Sequence, residues 1–129
     1  MAKRVREKTA KLLENKDTRP FAIVKYVRMG ASKAKRVLDT IRGKEYKMAK
    51  AILENNTSTS SDVVLKVLNS AAANAENNKG LNKDDLFVAE CFADQGPSFK
   101  RVSFRGRGGV DTIVKRTCHI TVILDVVKK

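Results

Sequence analysis

The sequence of 129 residues has no tryptophan, one histidine and two cysteines, and its acidic residues number only 14. Each scarcity excludes something. The cysteines, Cys91 and Cys118, lie 27 positions apart. No CxxC pair exists, which excludes a structural zinc site of the usual spacing and a disulfide scaffold. A reducing, cytosolic setting fits such a chain. A lone His119 has no second histidine for acid–base chemistry. No run approaches the ~18 apolar residues of a membrane span. The opening MAKRVREKTAKLLENKDTRP is charged throughout and lacks the apolar stretch of a signal peptide. We therefore expect a soluble cytoplasmic protein, without membrane, metal, cofactor or small-molecule substrate.

What is present is positive charge. Lysine and arginine total 27, giving a net charge of +13 and a pI near 10.1. The charge is unevenly placed: +4 over residues 1–20, +7 over 21–50, −4 over 51–97 and +6 over 98–129. An acidic middle between basic flanks makes a directed field, and three regions are expected to face a polyanion.

Residues 1–20 read as a basic N-terminal extension, a tail without a sustained apolar stripe that ends at Pro20. The single domain is expected over residues 21–129. Phe21–Met29 is β-branched and aromatic and reads as a strand. Ser32 is the expected N-cap of a helix whose Ala34, Val37, Leu38 and Ile41 share one face, with Gly43 closing it. A weaker helix follows on Ala49, Ile52 and Leu53. A third begins at the capping-box string Thr59–Asp62 and runs through SAAANAENN, whose small side chains let another backbone approach closely, RNA or, as the favoured reading, a tightly packed sheet. Leu86–Gln95 and Thr112–Val127 read as strands. The latter alternates, with Lys115, Thr117, His119 and Thr121 on its wet face.

Between those strands lies GPSFKRVSFRGRGGVD, cationic, glycine-rich and too poor in apolar residues to fold against a core. The three segments together predict a hairpin arm over about residues 90–118, reaching roughly 35–40 Å from Leu86 to Pro97 at ~3.3 Å per residue. Glycines allow close approach to phosphates, arginines supply planar forks, and Phe99 and Phe104 offer stacking faces for unpaired bases. A hairpin centred between Phe104 and Arg105 would set Cys91 opposite Cys118. Arg105–Gly109 is not a Walker loop, because no Lys-Ser/Thr and no helix follow it. Asp84, Asp85, Glu90 and Asp94 read as a solvated edge. His119 reads as a strand histidine, with an RNA contact as its next role.

Several strings carry a resemblance in order and spacing. They are Arg42-Gly43-Lys44, Ser70–Asn78, Asp84-Asp85-Leu86, Gly96-Pro97, Lys100-Arg101 and Lys115–Val122. From about Ala22 to Val127 the chain resembles the bacterial large-subunit ribosomal protein twenty-two family. Residues 1–20 extend beyond that family's common core, Cys118 stands where the family often has serine, and the FRGRGG tip differs in detail. The resemblance implies an α+β fold, with three helices packed on a three-stranded antiparallel sheet and a long protruding β-hairpin. It implies a non-enzymatic constituent of the large ribosomal subunit that binds large-subunit (23S) rRNA early in assembly beside neighbouring ribosomal proteins. The body would sit near the outer opening of the peptide exit tunnel and the hairpin tip would line its wall, near the nascent peptide. Carried over by motif, Arg28, Lys33, Lys35, Arg36, Arg42 and Lys44 would touch rRNA from the body. Lys100, Arg101, Arg105, Arg107, Lys115, Arg116 and His119 would touch it along the arm. The tunnel tip would be Phe99, Lys100, Arg101, Val102, Ser103, Phe104 and Arg105.

Two other classes compete. An architectural DNA binder with a β arm usually wedges an apolar or proline tip into the minor groove. Here Pro97 sits at the arm's base and the tip is Arg/Gly. A nuclease is disfavoured by the single histidine and the missing metal ligands. Binding to rRNA is predicted to weaken steeply with salt. With six phosphates neutralised, the slope of log affinity against log salt should be roughly −4 to −5. A salt titration giving a slope near zero would refute a charge-driven complex.

Overall fold

The computed structural model describes residues 2–14 and 17–126; the expected strand end at Val127 lies outside them. The β-branched run after Pro20 forms β1 (Phe21–Val27). Three helices follow: α2 (Ala31–Ile41), α3 (Tyr46–Asn55) and α4 (Thr59–Lys79). A strand β2 (Leu86–Gln95) comes next, then β3 (Phe99–Phe104), β4 (Val110–Lys115) and β5 (Cys118–Val126). Ahead of them all stands α1 (Ala2–Glu14). The helices thus number four, not the expected three. The correction comes from the spacing of Val5, Leu12 and Leu13, which defines an apolar stripe on a segment read as a tail.

Helix boundaries shift by small amounts for identifiable reasons. Gly30, not Ser32, occupies the N-cap of α2, and Ser32 lies inside the helix. Ser58, not Thr59, caps α4: its hydroxyl accepts from the Ser60 N–H, and a second bond runs from the Ser61 N–H to the Ser58 carbonyl. At the far end Gly80 takes the left-handed conformation (φ 62°) that lets its N–H and that of Leu81 satisfy the last carbonyls of α4.

The core lies between the helices and one face of an antiparallel sheet ordered β1-β5-β2. Leu38 and Ile41 of α2, Leu53 of α3, Val64 and Leu68 of α4, and Ile120, Val122 and Leu124 of β5 are all buried. Ala71, Ala72 and Ala75 are fully buried too. Their small side chains bring α4 close against β1 and β5, as the sequence implies. β5 is the central strand, paired with β1 on one side and β2 on the other. That position buries Thr121, expected on a wet face, between Ile23 and Phe92.

The hairpin register differs from the expected one. Cys91 opposes Val122, and Cys118 opposes Gln95 and Val27. The distal ladder pairs Phe99 with Lys115 and Phe104 with Val110, which centres the turn on Arg107 rather than between Phe104 and Arg105. The two cysteines are therefore apart and free. Burial raises both thiol pKa values, and the Cys91 thiol donates to the Leu38 carbonyl.

The expected strand Thr112–Val127 breaks at Arg116–Thr117. Across from the break stands Pro97, which has no N–H to give to a ladder. The junction is closed instead by two bonds, Gly96 N–H to the Thr117 carbonyl at 2.9 Å and the Thr117 hydroxyl to the Pro97 carbonyl at 2.6 Å. Because β2 belongs to the body sheet, only residues 99–115 form a separate two-stranded ribbon. Its six-residue strands span roughly 20 Å at ~3.3 Å per residue, shorter than the reach expected from counting β2.

Replacing Phe99–Lys115 with a two-glycine turn should leave the body folded, since no residue of that stretch belongs to the core. Circular dichroism should retain the helical signal, and the melting temperature should stay within about 3 °C. Unfolding of this variant would show that the ribbon supports the body. A Cβ at Gly96 would sit 2.5 Å from the Thr117 hydroxyl, whereas one at Gly106 would meet nothing. Gly96→Ala should thus cost roughly 1–3 kcal/mol in urea unfolding, as overpacking does, and Gly106→Ala should be near neutral.

Candidate nucleic-acid interface

α2 buries Ala34, Val37, Leu38 and Ile41. The same periodicity that buries them turns Lys33, Lys35 and Arg36 outward. At its N-terminal end the chain has just left β1 through Arg28, Met29 and Gly30. Across from this corner lies the α3–α4 loop. Together Arg28, Lys33, Arg36 and the polar stretch Asn56–Ser60 line an open cleft of about 700 Å³.

A second cleft, about 580 Å³, adjoins it and shares Arg28 and Lys33. Its other wall is Val114, Lys115 and Arg116, at the root of the ribbon. The Arg28 guanidinium stands 5.7 Å from the centre of the Phe99 ring, a cation–π contact between the end of β1 and the start of β3. Five cations from two distant stretches of chain thus meet where the ribbon leaves the body: Arg28, Lys33 and Arg36 from one, Lys115 and Arg116 from the other. Among the described residues no acidic side chain lines either cleft. The opening helix turns of α2 and α4 also border the first cleft, and the positive ends of their dipoles favour anions. Chemically the corner is suited to hold several phosphates.

The other predicted body residues lie elsewhere. Lys35 is exposed on α2 outside both clefts. Arg42 and Lys44 sit past the far end of α2, roughly 15 Å along an axis rising ~1.5 Å per residue. Arg42 is engaged internally, bonded to the Cys91 carbonyl at 2.8 Å and to Asp39 at 2.7 Å. Lys44 is half-buried, and its backbone carbonyl accepts from the Val88 N–H.

On the ribbon, alternation puts sequence neighbours on opposite faces. Phe99, Arg101 and Ser103 share one face with Lys115, Ile113 and Asp111. Lys100, Val102 and Phe104 share the other with Val114, Thr112 and Val110. Phe104 is 82% exposed, well beyond what a residue with a folding role would show. The turn itself is Arg105–Gly109, closed by a 2.8 Å bond from the Arg105 N–H to the Gly109 carbonyl. Arg107 stands at its apex in the left-handed region (φ 57°). Arg105 pairs with Asp111 at 2.6 Å, an exposed ion pair of little worth to stability. The segment Phe99–Arg105 is accordingly one strand of the ribbon plus the first turn residue, not the whole apex.

His119 has a partner inside the protein. Its Nδ1 accepts the Tyr26 N–H at 3.0 Å, and the two rings meet edge-on with centroids 4.9 Å apart. Tyr26 itself has a positive φ of 59°, at a bulge where β1 loses register with β5. The imidazole holds that bulge, and so fixes the direction in which β1 delivers Arg28.

The stretch Asn56–Ser60 was not among the residues singled out from sequence. Sequence alone marks only the helix cap at Thr59–Asp62, and nothing local shows that the residues before it face Arg28 and Lys33.

Comparison with known proteins agrees with this architecture. Residues 22–125 match the family described as Ribosomal protein L22p/L17e. A large ribosomal subunit protein uL22 of Acetivibrio thermocellus is 50% identical over 103 residues, covering 80% of this chain and 82% of the relative. Those of Lachnospira eligens and a Synechococcus strain are 49% and 48% identical over 110 and 101 residues. They cover 85% and 78% of this chain and 86% of each relative. With nearly the whole body and ribbon matched at this identity, the chain belongs to the L22p/L17e family of ribosomal proteins.

Proposed function

We propose that residues 21–129 form a single rRNA-binding domain of the large ribosomal subunit, with residues 1–20 as an extension. The chain is a structural ribosomal protein and not an enzyme. Its partners are large-subunit (23S) rRNA and neighbouring ribosomal proteins, and its place is the cytoplasmic ribosome. No helix among the described residues is long and apolar enough to cross a membrane.

One observation carries the mode of binding: Arg28, Lys33, Arg36, Lys115 and Arg116 converge at the root of an exposed ribbon. A body clamped to phosphates at that corner would hold the ribbon's root on the same RNA. Lys100, Arg101, Arg105 and Arg107 then extend the contact along both faces and the turn. Lys35, Arg42 and Lys44 would bind at separate points of the body, Arg42 with the donors left over from Asp39 and Cys91. His119 is half-buried and supports the corner from behind, with its exposed edge left for RNA.

The body would lie near the outer opening of the peptide exit tunnel and the ribbon along its wall. The apex would narrow the passage for the nascent chain and lie near the site of macrolide drugs. Support for this comes from family membership together with a ribbon that has no role in the core. Replacing Lys100 and Arg101 with glutamate would repel both ribbon faces from phosphate. Each lost charge-assisted contact is worth ~1 kcal/mol or somewhat more. The expected result is altered macrolide sensitivity with near-normal subunit assembly. Unchanged sensitivity and unchanged chemical protection of tunnel rRNA, in ribosomes shown to contain the variant, would overturn the tunnel-lining role.

A further inference from the structure

One side chain answers the bulge in β1. Val24 pairs with Ile120 and Val27 with Cys118, so Lys25 and Tyr26 together stand opposite His119 alone. The extra residue takes the Tyr26 N–H out of the ladder. That N–H donates instead to His119 Nδ1 at 3.0 Å, and the two rings meet at 89°. An imidazole that accepts at Nδ1 carries its proton on Nε2. Tyr26 has a φ of 59°, a region that a residue with a Cβ rarely enters. The bulge is therefore a strained turn whose freed N–H is held by a side chain and not by the ladder.

What the bulge decides is where Arg28 points. Side chains alternate along a strand, so one residue more or fewer turns every later side chain to the opposite face. With the bulge in place, the chain turns at Arg28 through a 2.8 Å bond from the Met29 N–H to the Val27 carbonyl. The Arg28 guanidinium then stands over the Phe99 ring at 5.7 Å. The other edge of the His119 ring meets the root of the ribbon. A Cβ built on Gly96 would lie 3.2 Å from both Cε1 and Nε2, so only a residue without one brings its backbone this close to the ring. Gly96 leads through Pro97 to Phe99. One imidazole thus touches both chain segments that make the Arg28–Phe99 contact.

We propose that His119 is a positioning residue, a pin that sets Arg28 and the root of the ribbon against each other before RNA arrives. It acts through Nδ1 on the β1 bulge and through its opposite edge on Gly96. Its contribution to RNA binding passes chiefly through Arg28. That last step rests on the phosphate corner proposed above, whereas the geometry of the pin does not.

Nuclear magnetic resonance of the free full chain tests the pin. A scalar coupling across the hydrogen bond should connect the Tyr26 amide nitrogen with His119 Nδ1. Nuclear Overhauser contacts should join the Arg28 side chain to the Phe99 ring. Two substitutions then separate the ring's nitrogens. In His119→Asn the side-chain oxygen stands where Nδ1 stood, and in His119→Gln the polar end reaches the position of Nε2. His119→Gln should lose the Arg28–Phe99 contacts and bind 23S rRNA about five-fold more weakly, the loss expected for one charged hydrogen bond. His119→Asn should restore both, with binding within about two-fold of the unsubstituted chain, because the bond to Tyr26 is kept. In an Arg28→Ala background the difference between the two should vanish. The proposal is overturned if the cross-bond coupling is absent, if the Asn variant loses the Arg28–Phe99 contacts, or if the Gln variant keeps them. It is overturned equally if Gln preserves RNA binding and Asn does not, which assigns Nε2 to RNA, or if Gln weakens binding as much without Arg28 as with it. The coupling and the Asn variant decide the matter even where His119→Gln unfolds the body. An Arg28→Ala chain that binds 23S rRNA undiminished refutes the phosphate corner instead, and the free-protein contacts still decide the pin.

Discussion

Hydrogen bonding along both edges of β5 is the constraint on which the rest of this structure depends. β1 arrives from the N-terminal side and β2 from the end of α4, and β5 lies between them. The strand that closes the core is therefore also the returning arm of the hairpin. Ile120, Val122 and Leu124 face the helices, while three residues before Cys118 the same chain is ribbon. A strand buried in the body and continuous with the ribbon gives the ribbon a rigid root. Gly96, Pro97 and Thr117 make the transition, and the space there is so tight that no Cβ fits at Gly96 without displacing the Thr117 hydroxyl.

Charge is arranged around that root and not over the surface at large. α2, α3 and α4 turn their apolar stripes to the sheet and to one another, so their lysines and arginines face away from it. β1, α2 and the β4–β5 junction all bring cations to one corner, where the α3–α4 loop contributes hydroxyls and amides. Bringing Arg28, Lys33, Arg36, Lys115 and Arg116 together costs repulsion in the free protein, and a polyanion relieves it. The ion pairs that are formed, such as Arg105–Asp111 and Lys47–Asp84, are exposed. They add little to stability. Hydrophobic packing holds the body, and the charges are left for a partner.

Element types and apolar faces follow from local sequence alone. Ala34, Val37, Leu38 and Ile41 at helical spacing, the alanines of α4 and the run Leu86–Gln95 were legible because local periodicity reflects which side meets the core. So was the nature of the partner, because charge and glycine in the segment after Pro97 are compositional properties. The family was legible from short strings such as Lys115–Val122. Local reading failed where an outcome depends on what lies across from a residue. Thr121 is buried because Ile23 and Phe92 flank it, His119 is engaged because Tyr26 bulges toward it, and the hairpin turns around Arg107 because β2 and β5 pair Cys91 with Val122 and Gln95 with Cys118. The extension read as a tail because its stripe is short and no neighbour in sequence reveals a use for it. Which cations form the corner depends on how the strands and helices pack. Arg28 and Lys115 are far apart along the chain, and Arg42, just past the end of the helix that carries Lys33, turns to Asp39 and Cys91. Pairing across the sheet is a property of distant strands, and no window along the chain contains both partners.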